Sequence, residues 1–407
     1  MKIFKSINAC RVSNKKDLVT VFKFPNFYLT GIFPKQKQKI LKTPFEVVFS
    51  KSSKLLQLKH NYDQKFLYGK NYGYRSGLNP IMIKHLRDKY FILKKKLVLK
   101  KKDKILDIGS NDSTFLNFSK CKKYGVDPSI KKFLKYYKKD TNYYIDTFEN
   151  AFVKLREEKF KLITSIAMFY DLPDPLSFLK KIKSILSDDG IYHIEVANVL
   201  SFMDNFSYDT FCHEHFEFYS LSSLNFLIEK SKLKIKDFGY NDINGGSIWL
   251  DIIQDDSKFK CNTIKINRII NYEKKRGLHK ASTFKKFFER VSKHSRKLNN
   301  LLLELKNKNK KIAGLGASTK GNVLLQFCKI GNKQIDNIYD VNPFKFGKYT
   351  PGNESNLRPP SGNMCSAIYW LISISAAILN SFLLGYLSDN IICPKAICNN
   401  SCFSRPC

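Results

Sequence analysis

Short apolar runs alternate with longer amphipathic segments between residues 104 and about 250. Runs of this length, bounded by Gly, Asp and Asn, are typical of strands in a parallel sheet, and the segments between them have helical spacing. A helix over residues 175–186 is predicted to end before Asp188, Asp189 and Gly190. This alternation predicts an α/β fold with a doubly wound sheet. The predicted strands are residues 104–108, 124–126, 162–168, 191–196 and 233–238.

The chain on either side of this region has a different pattern. The first part is rich in turn signals, among them Pro25, Gly31 and Pro34, and is interpreted as a small N-terminal module. Residues 282–308 carry apolar side chains at helical spacing and predict one long helix, which leads into a second Rossmann-like α/β unit. We therefore predict four regions, with boundaries at residues 1–85, 86–255, 256–352 and 353–407.

The last of these regions differs from the rest in composition. The protein has 407 residues and a formal net charge of +36, yet residues 353–407 carry only three basic and two acidic side chains. Residues 367–387 are apolar and just long enough to span a bilayer. A frameshifted end, a membrane anchor and a buried final helix all remain open, and the abrupt change in composition favours the frameshift. We expect no membrane association unless residues 367–387 are a real anchor.

The positive charge outside the tail does not by itself indicate nucleic acid. Lys residues are scattered, and Lys, Asn, Ile, Tyr and Phe are enriched together, which is typical of an AT-rich coding sequence. No RNA- or DNA-binding motif accompanies them, so we expect no nucleic-acid partner, although the charge could help to attract a small anionic substrate. The first residues lack the apolar core of a signal peptide, so we expect a cytoplasmic protein without disulfides.

The strand predicted at residues 104–108 ends in a turn with candidate chemistry. It contains Asp107 and is followed by Gly109, Ser110, Asn111 and Asp112, and Asp127 ends the next strand. A strand followed by a glycine turn and helix-capping residues is typical of nucleotide-binding sites in doubly wound sheets. The acid at the end of the second strand is placed to accept hydrogen bonds from ribose hydroxyls. The turn lacks the three glycines that a pyrophosphate needs. It therefore predicts an adenosine-like ligand without a diphosphate, S-adenosylmethionine, and the alternative is a structural turn that binds nothing.

A second glycine-containing turn follows the long helix. Gly314 and Gly316 come after an apolar run, but Gly321 arrives late, and Asn322 and Val323 stand where a phosphate loop needs Lys and Ser or Thr. The turn is either structural or the N-terminus of a helix that receives a phosphate. These two interpretations remain open.

The third candidate is the run Cys212, His213, Glu214 and His215. On a strand, the two imidazoles would point to one face and Glu214 to the other. Imidazole and carboxylate groups can act as general bases near neutral pH. They could also hold a metal, but no third His or paired Cys lies nearby at metal spacing, so we predict no metal site. The structural alternative is a polar strand whose histidines have hydrogen-bond partners.

Together these elements resemble the sugar C-methyltransferases that act on nucleotide-linked 4-keto sugars, over roughly residues 8–352. The turn at 107–112 resembles the family's methyl-donor loop, 72–76 its tyrosine-containing active-site segment, and 209–215 its catalytic segment. The resemblance implies a central class I methyltransferase domain and a monomer that uses S-adenosylmethionine. It also implies that a nucleotide-linked keto-sugar is the substrate, in surface polysaccharide or deoxysugar biosynthesis. The substrate-binding residues that it implies are Tyr72, Gly316, Ser318, Lys320 and Asn322.

The resemblance also implies a mechanism through an enolate. His215 is the candidate base that removes a proton beside the ketone. Glu214 or Tyr74 would orient the sugar or stabilise the enolate, and His213 is a candidate for a supporting role. Two rivals stay open: a non-catalytic remnant that binds nucleotide, and an NAD-dependent oxidoreductase, which the single Gly109 disfavours.

Three departures from the family pattern matter. Members usually carry a four-cysteine zinc module, whereas this chain has Cys10, Ser13, Ser50 and Ser53 at those positions. One thiolate cannot hold a structural zinc, so we expect a metal-free module. Ser113 replaces the usual Gly after the donor loop, and Cys212 stands where some members have Tyr. The resemblance stops at Gly352, which supports the frameshift interpretation.

Overall fold

The computed structural model describes residues 3–35, 40–68, 72–340, 342–352 and 355–359, and the backbone of 369–373. Most of the anomalous tail, with nearly all of the apolar stretch 367–387, lies outside the described residues. Among the helices in the described ranges, none is both long and apolar enough to cross a membrane. The chain divides into two compact units, and the second contains Phe33–Ile40, Phe206–Phe211 and the chain from Arg290 onward.

The N-terminal region folds into two small antiparallel sheets. Its elements are β1 (Phe4–Ser6), β2 (Leu18–Tyr28), β3 (Lys42–Ser50), β4 (Leu56–Leu58), β5 (His60–Tyr62) and helix α1 (Gln64–Leu67). Strand β1 pairs with β5, and β2, β3 and β4 form consecutive antiparallel pairs. The short strand Glu217–Phe218, from much later in the chain, extends this second sheet beside β4. The 212–219 segment is thereby held against the N-terminal module.

Two matching turns lie where the family's zinc ligands would be. The Sγ of Cys10 lies 3.1 Å from the Oγ of Ser53, and the hydroxyl of Ser52 donates to that of Ser13 at 2.8 Å. Each turn is followed by a residue in the left-handed region, Asn14 at φ 60° and Lys54 at φ 59°. Within the described residues no group of three or more His, Cys, Asp or Glu side chains could hold a metal ion. Hydrogen bonds among hydroxyl and thiol groups therefore connect the two turns.

The central part of the first unit is a seven-stranded sheet. Its strands are β6 (Lys104–Ile108), β7 (Lys122–Val126), β8 (Thr141–Tyr144), β9 (Phe160–Ile166), β10 (Leu186–Ala197), β12 (Leu233–Asn241) and β13 (Ser247–Gln254), with Glu217–Phe218 as β11. The order across the sheet is β12-β13-β10-β9-β6-β7-β8. Strand β13 runs in the direction opposite to the other six strands of this sheet. This order and its reversed strand confirm the predicted doubly wound α/β fold of a class I methyltransferase.

Helices cover both faces of this sheet. They are α2 (Pro80–Leu97), α3 (Ile130–Phe133), α4 (Phe148–Leu155), α5 (Pro175–Ile185), α6 (Val199–Asp204), α7 (Leu221–Lys230) and α8 (Thr263–Lys275). Helix α2 begins as its sequence dictates, because the Asn79 side chain caps it and Pro80 needs no partner in the first turn. The strand predicted at 162–168 begins and ends two residues earlier, at Phe160–Ile166, because Ala167 leaves the extended conformation at φ 57°. Strand order reverses at β6, and this is where a ligand crevice is expected.

The second unit contains a smaller parallel sheet. It follows helix α9 (Ala281–Asn307), which begins in the first unit, and comprises β14 (Lys311–Leu315), α10 (Thr319–Phe327), β15 (Asn337–Tyr339), β16 (Leu357–Arg358) and β17 (Tyr369–Ser373). The strand order is β16-β15-β14-β17, and every pair is parallel. In this part of the chain the first unit extends to Glu289, and the second begins at Arg290. One reason is that Glu273 of α8 accepts hydrogen bonds from the backbone N–H groups of Leu221 and Ser222, at 2.8 Å each, and so caps α7.

Candidate active site

The first unit contains a cavity of about 1040 Å³, including its open mouth. It lies beyond the carboxyl ends of β6, β7, β8 and β9, where the strand order predicts a ligand crevice. The predicted donor residues Asp107, Gly109, Ser110, Asn111 and Asp127 all line it. The sequence-predicted turn and the cavity therefore coincide.

Gly109 needs its lack of a side chain for two independent reasons. Its φ is +80°, which residues with a Cβ rarely adopt, and a Cβ built there would lie 2.8 Å from the Cγ of Met168. The Asp127 carboxylate then fixes the turn, with Oδ2 accepting from the Asn111 N–H at 2.9 Å and Oδ1 from the Ser129 N–H at 2.6 Å. Burial raises the pKa of Asp127. Its remaining lone pairs are available for ribose hydroxyls.

Asp107 lies beneath the same turn. Its Oδ1 accepts a hydrogen bond from the Thr164 hydroxyl on β9 at 2.6 Å. Burial raises the pKa of Asp107 to about 7, and the nearby charge of Asp127 adds to this effect. The two acids thus lie buried close together at the ends of two adjacent strands.

Asp112, predicted as a donor-binding residue, does not line the cavity. Its Oδ2 accepts from the Gly77 N–H at 2.9 Å and lies 3.2 Å from the Arg75 guanidinium. Asn111 makes a second hydrogen bond to the same segment, because its Oδ1 accepts from the Ser76 N–H at 2.9 Å. Asp112 therefore binds the chain segment 72–79 to the donor turn. That segment carries Tyr72, Tyr74 and Ser76 on the cavity wall.

The charge of the cavity is opposite to that of the protein. Four carboxylic acids line it, and no Lys, Arg or His is among its described lining residues. A pyrophosphate would meet only negative charge there, whereas a sulfonium and an ammonium group would be stabilised. The four acids are Asp107, Asp127, Asp146 and Asp171. These residues fit S-adenosylmethionine and disfavour a dinucleotide.

The segment with His213 and His215 is a turn, so the alternation of faces that a strand would give does not apply. The Nδ1 of His213 accepts from the Thr30 N–H at 3.3 Å, and its Nε2 lies 2.8 Å from the Thr43 hydroxyl. Its ring packs edge-on against those of Phe45 and Tyr62, with centroids at 5.1 and 4.8 Å. Burial lowers the pKa of His213 to about 3. His213 is a neutral core residue of the N-terminal module, as the structural alternative anticipated.

The next two residues have different environments. Glu214 is buried, its Oε2 accepts from the Thr30 hydroxyl at 3.3 Å, and burial raises its pKa to about 7. His215 is half-buried, and its ring centroid lies 4.2 Å from that of Tyr170. Tyr170 immediately precedes the cavity-lining Asp171, and it also accepts a backbone hydrogen bond from Phe216 at 2.8 Å. Glu214 and His215 thus lie beside the wall that carries Asp171.

The second predicted turn, in the other unit, repeats part of this geometry. Gly316 has φ +84°, and Asp340 at the end of β15 accepts from the Ala317 N–H at 2.9 Å. Here, however, the Asp340 carboxylate also lies 3.0 Å from the Lys345 ammonium. Ser318 caps α10 by accepting from the Gly321 N–H at 2.9 Å.

The other two predicted residues of this turn differ in exposure. Lys320 is half-buried in the first turn of α10, and Asn322 is buried. Asn322 therefore lies on the inner side of the helix, while Ser318 and Lys320 border its N-terminus.

Two family models match the chain. The model described as "Methyltransferase domain" covers residues 82–236, and the model described as "C-methyltransferase C-terminal domain" covers residues 242–364. The chain is a SAM-dependent C-methyltransferase. It is similar to the C-methyltransferase NovU of Streptomyces niveus, with 26% identity over 371 residues that cover 88% of this chain and 87% of NovU.

Two of the solved structures similar to this methyltransferase each cover 43% of it. The putative methyltransferase of Haloferax volcanii, in complex with its activator Trm112, has 13% identity, a TM-score of 0.35, and coverage of 43% of this chain and 95% of the other. The plantazolicin methyltransferase BpumL, in complex with a substrate analogue and SAH, has 15% identity, a TM-score of 0.35, and coverage of 43% and 86%.

Several residues of the methyltransferase cavity were missed in the sequence. Asp146 and Phe148 follow β8, and Met168 and Asp171 follow β9, so all four lie just beyond strand ends. Looking for acids after every parallel strand would have found Asp146 and Asp171. Tyr68 gave no such signal, because it reaches the cavity from the end of α1 in the N-terminal module.

Proposed function

We propose that this methyltransferase transfers a methyl group to the carbon next to the ketone of a nucleotide-linked keto-sugar. The proposal is carried by the placement of Glu214 and His215 beside the wall of the donor cavity. Its family resemblance and its similarity to a C-methyltransferase over most of the chain support it. Surface polysaccharide or deoxysugar biosynthesis in the cytoplasm is the setting that we propose.

In this proposal His215 removes the proton from the carbon beside the ketone. A half-buried imidazole is suited to this task, because its ordinary pKa lies near neutral pH. The electron pair left on the sugar forms an enolate, whose carbon then takes the methyl group. Bound S-adenosylmethionine supplies that methyl on a sulfonium and leaves as a neutral thioether. The proton is held on His215 until solvent removes it.

Glu214 and Tyr74 are the proposed partners of the sugar. A buried carboxyl with a pKa of about 7 can be protonated at neutral pH, and it can then donate a hydrogen bond to the enolate oxygen. Tyr74 lines the donor cavity and is about half exposed, and its phenol can donate a hydrogen bond to the sugar. We no longer assign His213 a role, because both ring nitrogens face the N-terminal module.

The second unit has features that suit a phosphate-bearing substrate. The Lys345 ammonium donates to the Ala317 carbonyl at 2.6 Å and so lies at the turn before α10. Burial, together with the charges of Lys35 and Lys345, lowers the pKa of Lys348. Such a concentration of positive charge beside a helix N-terminus favours an anion. We propose that Gly316, Ser318 and Lys320 border this site.

The test is an assay of the full-length protein with S-adenosylmethionine and a panel of nucleotide-linked 4-keto sugars, read by mass spectrometry. We expect a mass gain of one methylene unit on one or more of them. His215→Ala should abolish this gain while calorimetry shows unchanged donor affinity. Donor binding without turnover on any sugar would favour the remnant interpretation, and loss of donor binding in the variant would refute the role of His215.

A further inference from the structure

The methyl donor loses one positive charge during the reaction, so an acidic cavity can bind the donor and its product with different affinities. S-adenosylmethionine carries a sulfonium and an ammonium group, whereas the product S-adenosylhomocysteine keeps only the ammonium. A carboxylate placed at the sulfur therefore stabilises the substrate more than the product. One of the four cavity acids suits this position better than the others.

Three of the four acids are less suited to this position, because two accept hydrogen bonds from the protein and the third is exposed to solvent. Asp127 holds two backbone N–H groups, Asp107 accepts from Thr164, and Asp146 is exposed at the rim. Asp171 is different, because its Oδ1 is buried and has no hydrogen-bond partner within the described part of the chain. A buried carboxylate oxygen without a partner is costly, so its position indicates a ligand group.

The other oxygen of Asp171 is held in place. Its Oδ2 accepts a hydrogen bond from the Tyr68 hydroxyl at 2.7 Å, and both residues line the cavity. Asp171 interacts electrostatically with two further acids, Glu214 and Glu217, and with the phenols of Tyr68, Tyr72 and Tyr170. Burial, and then the charge of Glu214, raises the pKa of Asp171 well above its ordinary value. The carboxylate form is thus poorly compensated until a cation enters.

We propose that Asp171 is the counter-charge of the donor's sulfonium and makes the enzyme prefer S-adenosylmethionine to S-adenosylhomocysteine. Tyr68 is the positioning residue that holds the carboxylate toward the cavity. When the methyl leaves, the sulfur becomes neutral and Asp171 loses its partner. The same pair thereby favours release of the product.

Asp171→Asn is the direct test, because it removes the charge and keeps the shape. Calorimetry on the full-length protein should show affinity for S-adenosylmethionine reduced at least about tenfold, with affinity for S-adenosylhomocysteine nearly unchanged. Asp146→Asn is the matched control, since it removes an exposed charge from the same cavity. It should leave the ratio of the two affinities as in the wild type.

Two outcomes would overturn the proposal. Equal loss of both affinities would assign Asp171 to the ammonium group, and unchanged affinities with lost turnover would assign it to the acceptor. Wild-type protein provides a second test that does not depend on a folded variant. The preference for S-adenosylmethionine should fall as pH is lowered, because protonation neutralises Asp171, and Tyr68→Phe should move this fall to higher pH. A wild-type preference that does not fall as pH is lowered would contradict the assignment.

Discussion

The two glycine turns of this protein have nearly the same backbone and opposite electrostatics. Gly109 and Gly316 have φ of +80° and +84°. In each case the acid that ends the next strand accepts from a turn N–H at 2.9 Å, Asp127 from Asn111 and Asp340 from Ala317. The strand, turn and helix therefore do not determine the ligand.

What differs is the charge around each acid. Asp127 faces a cavity with three further aspartates and no basic group among its described lining residues, so the first turn suits a cation-bearing adenosine ligand. Asp340 is paired with Lys345 at 3.0 Å, and further lysines lie close by, so the second turn suits an anion. The comparison teaches that a turn motif should be interpreted together with the charges that surround it in space.

The largest expected effect is at the acids that distinguish the turns. Asp127→Ala removes the acceptor of the ribose hydroxyls and the partner of two backbone N–H groups, so donor affinity should fall by about a hundredfold or more. Asp340→Ala is the matched control and should leave donor affinity unchanged. Calorimetry with S-adenosylhomocysteine measures both. A similar loss of donor affinity in the two variants would contradict the conclusion that only the first turn binds the donor.

The glycines themselves should respond unequally. Gly109→Ala combines backbone strain with a contact of 2.8 Å to Met168, and we expect it to lower the free energy of unfolding by about 2–4 kcal/mol. Among the described residues, chain neighbours aside, no atom lies within 4 Å of a Cβ built at Gly316, so Gly316→Ala should cost only about 1 kcal/mol. Urea unfolding of both variants gives the difference. Equal values would mean that strain alone, rather than packing against Met168, requires Gly109.

The buried acid beneath the first turn should make stability depend on pH. Burial raises the pKa of Asp107 from 3.8 to about 7, so its contribution to stability is fully present below about pH 4 and is lost as pH rises through 7. Asp107→Asn cannot ionise, so relative to the wild type it should gain about 1–3 kcal/mol between pH 5 and pH 8. Comparing the two proteins cancels the opposite contribution of the buried His213. A difference that does not change with pH would contradict the raised pKa.

The smallest effect is expected at Ser113, next to the donor loop. Ser113 has φ +64°, a conformation that favours glycine, which explains why a Gly is usual there. Ser113→Gly should raise the free energy of unfolding by about 1 kcal/mol, measured by urea titration. A loss of stability would show that the side chain contributes more through packing than its backbone costs. Donor affinity, measured alongside, should stay within the error of the wild type.

Much of the fold follows from local sequence patterns. The strand predicted at 104–108 is the observed β6, and the long helix predicted over 282–308 is observed as α9, one residue earlier at each end. These elements are determined by apolar periodicity and by turn residues, which are local properties. Strand β8 was missed, because Thr141–Tyr144 is short, partly exposed and lies at the edge of the sheet.

The candidate site was predictable only in part, and the histidines show why. His213 and His215 are two residues apart, yet one is buried against Thr30 and Thr43 and the other lies half-buried beside Tyr170. The partners of His213 lie about 170 to 183 residues away in the chain. No local pattern reports such neighbours, so the sequence could not distinguish a core histidine from a candidate base.

The sequence alone determined the doubly wound sheet, the donor turn at Gly109 and the acid at Asp127, because periodicity, a left-handed glycine and a strand-end acid act over a few residues. Only the tertiary structure decided that Asp112 binds the 72–79 segment and that the two turns differ in charge. It also decided that Asp171 lines the cavity with a buried oxygen that has no partner in the described part of the chain. Burial and electrostatics depend on groups brought together from distant segments, and for this reason they follow from the fold rather than from the order of residues.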